Sequence, residues 1–126
     1  MGLDQYARWT ASSDVNADDA YDNGDEFKYW RKCSHIQNWF QKIYAEKTGD
    51  TDAMNFNCVK VEIDFELLNR FITDVKTNQM QCVDGFFFGG SYDTNHPDIV
   101  EEDLRFACDC MFHLLMGRKV YYTSWW

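Results

Sequence analysis

The chain predicts an α+β fold, three helices packed on a small antiparallel sheet that includes the N- and C-terminal strands. Three observations carry this. Aromatic residues cluster at both ends, in Met1-Gly2-Leu3-Asp4-Gln5-Tyr6 and in Val120-Tyr121-Tyr122-Thr123-Ser124-Trp125-Trp126. Free ends rarely carry such apolar cargo, so both ends are expected to dock, most simply beside one another. Between them, three stretches repeat apolar residues every three or four positions, the helical period. The length of 126 residues suits one domain, 1–126, with a single core.

Residues 2–9 are short and aromatic and read as the first strand. An acidic loop at 10–26, rich in Asp, Asn and Ala, follows. The first helix is expected over residues 26–47. Phe27, Trp30, Cys33, Ile36, Phe40 and Ile43 form its apolar face, and Arg31, His35, Asn38 and Lys42 form a polar stripe. Gly49 stands just past its end as a stop signal. Cys58-Val59-Lys60-Val61 alternates weakly and reads as a short strand. Asp64 is the expected N-cap of a second helix with Phe65, Leu68, Phe71, Ile72 and Val75 inward. Gly85-Phe86-Phe87-Phe88-Gly89 reads as a buried extended segment ending in a turn.

The third helix has the clearest start. Pro97 precedes Asp98, and Asp98 with Glu101 fits capping-box spacing. Val100, Leu104, Ala107, Cys108, Met111, Leu114 and Leu115 supply its core stripe, and Gly117 ends it. Phe106 and Phe112 fall off that stripe and are open to two uses, the core or a homo-oligomer face. Residues 120–125 are β-branched and aromatic and read as the last strand.

Net charge is −9, unevenly spread: residues 28–47 hold five bases and one acid, residues 104–126 hold three bases and one acid, and the two remaining segments are acidic. An acidic chain is repelled by duplex nucleic acid, but a local basic patch admits a small anionic ligand. The acidic surface equally suits a host protein with a basic surface. No run is apolar enough to span a bilayer, and no signal peptide is visible, which places the expectation in the cytoplasm. Five cysteines, an odd number, then read as reduced, mostly buried thiols.

Chemistry is weakly signalled. Cys108 and Cys110 sit about 200° apart on a helix, and Cys110 with His113 gives too few ligands for a structural zinc, so no metal or other cofactor is expected. The glycine-flanked phenylalanines lack the lysine of a phosphate loop, and a turn is the favoured reading. A hydrolase would need Asp4 or Asp93 within hydrogen-bond reach of His35. The most suggestive element is Tyr29-Trp30-Arg31-Lys32, whose residue types suit base stacking with phosphate pairing, or a protein hot spot.

These segments together resemble a family of small proteins encoded by tailed bacteriophages and prophages. The resemblance rests on Met1-Gly2-Leu3-Asp4-Gln5-Tyr6, Tyr29-Trp30-Arg31-Lys32 with Trp39-Phe40, Gly85-Phe86-Phe87-Phe88-Gly89 with Tyr92-Asp93, and Tyr121-Tyr122-Thr123-Ser124-Trp125. It covers nearly the whole chain. The chain departs from the family inside the first helix, where Ser34 and Ile36-Gln37 replace Asn and Ile-His and a histidine stands two places earlier, at His35. That departure weighs against an enzyme.

The resemblance implies a phage accessory protein made in the host cytoplasm, and implies no reaction. The functional expectation is a non-catalytic protein that binds and modulates a host or defence component. The alternatives are a sequestering binder of a nucleotide or nucleotide signal, and a small hydrolase. The expected binding residues are Asp4, Tyr6, Trp30, Arg31, Lys32, His35, Tyr92, Asp93, Ser124 and Trp125, converging on one site if the terminal strands pair.

Overall fold

A computed structural model describes residues 2–11, 24–82 and 92–126. Strand β1 (Asp4–Thr10) is followed by β2 (Asp25–Arg31), helix α1 (Ser34–Thr48), a 3-10 turn (Ala53–Phe56), β3 (Lys60–Ile63), α2 (Phe65–Lys76), α3 (Pro97–Leu115) and β4 (Lys119–Trp125). The strands form one antiparallel sheet in the order β2-β1-β4-β3, with the three helices packed on it. The expected α+β fold is the observed one. The first and last strands are the central pair, with Asp4 opposite Trp125 and Thr10 opposite Lys119.

The inner face of the sheet carries Gln5 and Ala7 from β1, Trp30 from β2, Val61 and Ile63 from β3, and Val120, Tyr122 and Ser124 from β4, all buried. This is the period-2 alternation of a sheet covered mainly on one side, broken at Tyr121, which points to the other face and is also buried. Tyr122 lies at the centre, its ring stacked on Phe40 of α1 at 4.0 Å between centroids. Trp30 meets Phe106 edge-on at 4.8 Å. Phe71 of α2 meets Phe106 edge-on at 5.7 Å, so α2 and α3 share one aromatic core.

One expected element changes type. Residues 25–31 form a strand, so Tyr29, Trp30 and Arg31 do not belong to a basic helix. Phe27, Trp30, Cys33 and Ile36 recur at helical spacing, but β1 offers a row of backbone partners that pairs Gln5 with Trp30 and Tyr6 with Tyr29. Aromatic residues suit that setting. The register slips between Ala7 and Arg8, which pairs Ala7 with Lys28 and Arg8 with Glu26 and leaves Phe27 bulged, its ring stacked on Phe106. Lys32 then adopts a left-handed φ of 55°, and Cys33 becomes the N-cap position of α1. The polar stripe expected on that helix is also corrected, because His35 and Asn38 are buried.

The other helices start near their expected sites. The Asp64 side chain accepts a hydrogen bond from Leu67 N at 2.8 Å and caps α2. Leu67 takes the core place assigned to Phe65, which is exposed. On α3 the cap is His96, whose Nδ1 accepts from Asp98 N at 3.1 Å, in place of the Asp98 capping box. The α3 core stripe is rotated to Asp103, Phe106, Ala107, Cys110 and His113. Cys108 and Leu115 are exposed, and Val100, Leu104, Met111 and Leu114 pack at the core margin. Phe106 is core, the first of the two uses left open, and Phe112 is exposed. Gly117 ends α3 at φ 80°, with Arg118 N bonded to His113 O.

The third strand begins at Lys60 rather than Cys58. Most of the acidic loop at 10–26 and the segment from Gly85 to Gly90 lie outside the described residues, while Thr10, Asp25 and Glu26 are strand residues. No helix among the described residues is long and apolar enough to cross a membrane.

Candidate functional site

The sheet sorts the expected binding residues by face. Directly opposed residues share a face, so Asp4, Arg31 and Trp125 stand side by side on the outer surface. Tyr6 lies between Tyr29 and Thr123 one step along. The convergence expected of Asp4, Tyr6, Arg31 and Trp125 is therefore observed. Tyr29 completes the patch: its hydroxyl donates to Asp4 Oδ1 at 2.6 Å, and Arg31 Nη1 donates to the same oxygen at 2.8 Å. These bonds, Tyr29 first and Arg31 second, outweigh desolvation and hold the Asp4 carboxyl below its usual range. Arg8 lies over the Tyr6 ring at 4.9 Å, and Trp125 is 60% exposed.

Trp30 and Ser124 face the opposite way, into the core, and take no part in that patch. The physical reason is the strand period: each directly follows or precedes an outward residue. Lys32 and Asp93 are exposed, on the turn before α1 and on the approach to α3, and Asp93 is used locally to accept from Asn95 N at 2.9 Å.

His35 and Tyr92 belong to a second cluster, at the sheet end where β2 hands over to α1. His35 is buried, and its Nε2 lies 2.8 and 3.0 Å from the two carboxylate oxygens of Asp103, also buried. Nδ1 faces Cys33 Sγ at 3.6 Å and is in close contact with the Tyr92 hydroxyl. That hydroxyl also lies 3.6 Å from Cys33 Sγ and accepts from His35 N at 3.2 Å. Burial opposes charge on the ring, but hydrogen bonds to Asp103 and Cys33 prevail and raise His35 to about 10. Burial pushes the Tyr92 phenol up.

The cluster is held from below. The Gln5 side chain accepts from Cys33 N at 2.8 Å and donates to Cys33 O at 3.0 Å. Its amide also donates to the Tyr122 hydroxyl at 3.0 Å, which in turn donates to Gln37 Oε1. An inward polar residue on β1 thus pins the backbone that carries the thiol. Cys33 itself is partly exposed.

Cys33 and Asp103 were missed in the sequence. With the helix extended back to residue 26, Cys33 and His35 would point apart; as the N-cap position and the second helical residue, they meet. Asp103 stands in the acidic run Glu101-Glu102-Asp103 near the start of α3. Its signal was its spacing of three and seven from Phe106 and Cys110. Among the described residues no group of three or more His, Cys, Asp or Glu is gathered to hold a metal ion.

The fold and its surfaces define an α+β protein with one open aromatic sheet face and a buried imidazole–carboxylate pair at one end. No protein-family model matches the chain, and neither a curated protein nor a solved structure does.

Proposed function

We propose that this chain is a phage accessory protein that works by binding, and that it modulates a host or defence component in the host cytoplasm. The supporting observation is the outer sheet patch of Tyr6, Tyr29, Arg31 and Trp125 around Asp4. Tyr, Trp and Arg are the residue types that dominate binding energy at protein interfaces. Trp125 and Tyr29 stand 60% and 45% exposed, apolar area that a partner can cover. A sheet face gives them a rigid mounting, so little ordering is needed on binding.

Charge supports a protein partner with a basic surface. Exposed acids along α3, namely Asp98, Glu101, Glu102 and Asp109, two of them in ion pairs with Arg105 and Lys28, give the helical side, opposite the patch, a negative potential suited to such a partner. The aromatic patch on the other face is a separate anchoring surface. A nucleotide is the second reading, favoured by the Tyr6 and Tyr29 rings, 5.4 Å apart, beside Arg31.

The test is a pull-down from host lysate with wild type and a Tyr29→Ala/Trp125→Ala variant, both checked for folding. A stoichiometric protein lost in the variant supports the proposal. A nucleotide released on denaturation, with no protein, supports the second reading. Equal capture by both forms excludes the patch.

A further inference from the structure

We propose that Cys33 is a nucleophile that attacks activated acyl carbonyls, with His35 as its proton carrier and Asp103 as the residue that positions His35. The inference is independent of the binding patch. It stands on three juxtaposed groups drawn from two elements distant in sequence. The Cys33 sulfur is partly exposed at the head of a 15-residue helix. His35 Nδ1 faces it at 3.6 Å, and Asp103 clamps the far nitrogen at 2.8 Å from a different helix. A nucleophile, a base and a third group that orients the base are the parts needed for thiol catalysis.

A purely structural role explains this cluster less well. A buried His–Asp pair is costly to desolvate and contributes little net stability compared with apolar packing. Here the imidazole has its Nε2 side closed by carboxylate and its Nδ1 side turned to the Tyr92 hydroxyl and the Cys33 thiol together. Gln5 holds the Cys33 backbone from both N–H and C=O, which fixes the sulfur's direction.

In the step proposed, a sulfur lone pair of the Cys33 thiolate attacks the carbonyl carbon of an ester, and the carbonyl π pair moves to oxygen. The Tyr92 O–H, 3.6 Å from the sulfur, is the side-chain donor placed beside that oxygen. The tetrahedral species collapses, the carbon–oxygen bond to the leaving group breaks, and the leaving oxygen takes the proton from His35 Nδ1. A thioester remains on Cys33. Water then gives a proton to Nδ1 as its oxygen attacks the thioester, the carbon–sulfur bond breaks, and the thiolate–imidazolium pair is restored. Asp103 keeps the ring aligned throughout and is not consumed.

The probes are p-nitrophenyl acetate and iodoacetamide, applied to the full chain. Trypsin cleavage after Lys32 and Lys42 isolates Cys33 in one peptide, and Cys58 in another serves as an internal reference. The expected result is an acetyl group on the Cys33 peptide, absent in Cys33→Ser. Iodoacetamide is expected to react about 10-fold or more faster at Cys33 than at exposed Cys58. In Asp103→Asn the Cys33-to-Cys58 ratio is expected to fall towards one, with a larger fall at pH 6 than at pH 8, a change that loss of packing alone would not produce. A Cys33 that reacts no faster than Cys58 in wild type overturns the proposal. So does a folded Asp103→Asn with the ratio unchanged at both pH values. If Asp103→Asn does not fold, acetylation and the wild-type ratio decide by themselves.

Discussion

His35 carries the sharpest physical consequence of any single residue. Its ring stands at about 10 against an ordinary 6.5. A raised pKa in the folded state gives stability that is fully present below about 6.5 and is lost as pH rises through about 10. Urea unfolding is expected to show stability declining across that window. Asp103→Asn removes one partner of a buried pair and is expected to cost about 3–5 kcal/mol below the window and to flatten the decline. A wild-type profile level from about pH 6.5 to 10 would contradict the assignment of the charged ring. Asp4 is the contrasting case. Tyr29 and Arg31 hold its carboxylate at the surface, where solvent screens the interaction. Asp4→Asn is expected to leave the melting temperature nearly unchanged and to weaken partner capture, read by parallel calorimetry and pull-down.

At the scale of elements, β2 is an edge strand with one buried side chain, Trp30. Trp30 is buried against Phe106 and Tyr122. Trp30→Ala is expected to destabilise by about 3–5 kcal/mol in denaturant unfolding. Tyr29→Ala, one residue away and outward, should cost far less; a reversed order would mean that the strand faces the other way. The turn into β2 is also constrained. A Cβ at Gly24 would lie 2.7 Å from Arg8 Cβ and 2.9 Å from Trp9 O. Gly24→Ala is therefore expected to cost about 1–3 kcal/mol, since Trp9 O is backbone that cannot rotate away. Unchanged stability would mean that the entry to β2 adjusts freely.

For the whole molecule, both termini lie in the central strands of the sheet. Strand β4 is hydrogen-bonded to β1 on one side and β3 on the other. A chain ending at Gly117 is expected to lose cooperative folding altogether, seen as a missing unfolding transition by circular dichroism. The split between an acidic helical side and an aromatic sheet face also sets the salt response of binding. Raising salt from about 50 to 500 mM is expected to slow association while leaving the aromatic anchor's contribution, read as the ratio of wild type to Trp125→Ala, nearly constant. Surface plasmon resonance with the captured partner measures both.

The sequence by itself determined the fold class, the pairing of its ends and the helical start at Asp64, because these depend on local patterns: alternation, period and capping chemistry. It also singled out Asp4, Tyr6, Arg31 and Trp125, which do meet. Only the tertiary structure decided that Tyr29-Trp30-Arg31 is strand. The same apolar spacing serves a helix, and the choice fell to the hydrogen-bonding edge of β1, which no local window contains. That change moved the start of α1 to Ser34 and so brought Cys33 onto His35. Asp103, 68 residues further on, entered the cluster through the rotation of α3 that Phe106 imposes by packing on Trp30 and Phe71. A contact of that range is set by how helices seat on a sheet: spacing marks Asp103 as sharing a face with Phe106 and Cys110, but nothing local marks it as the partner of His35.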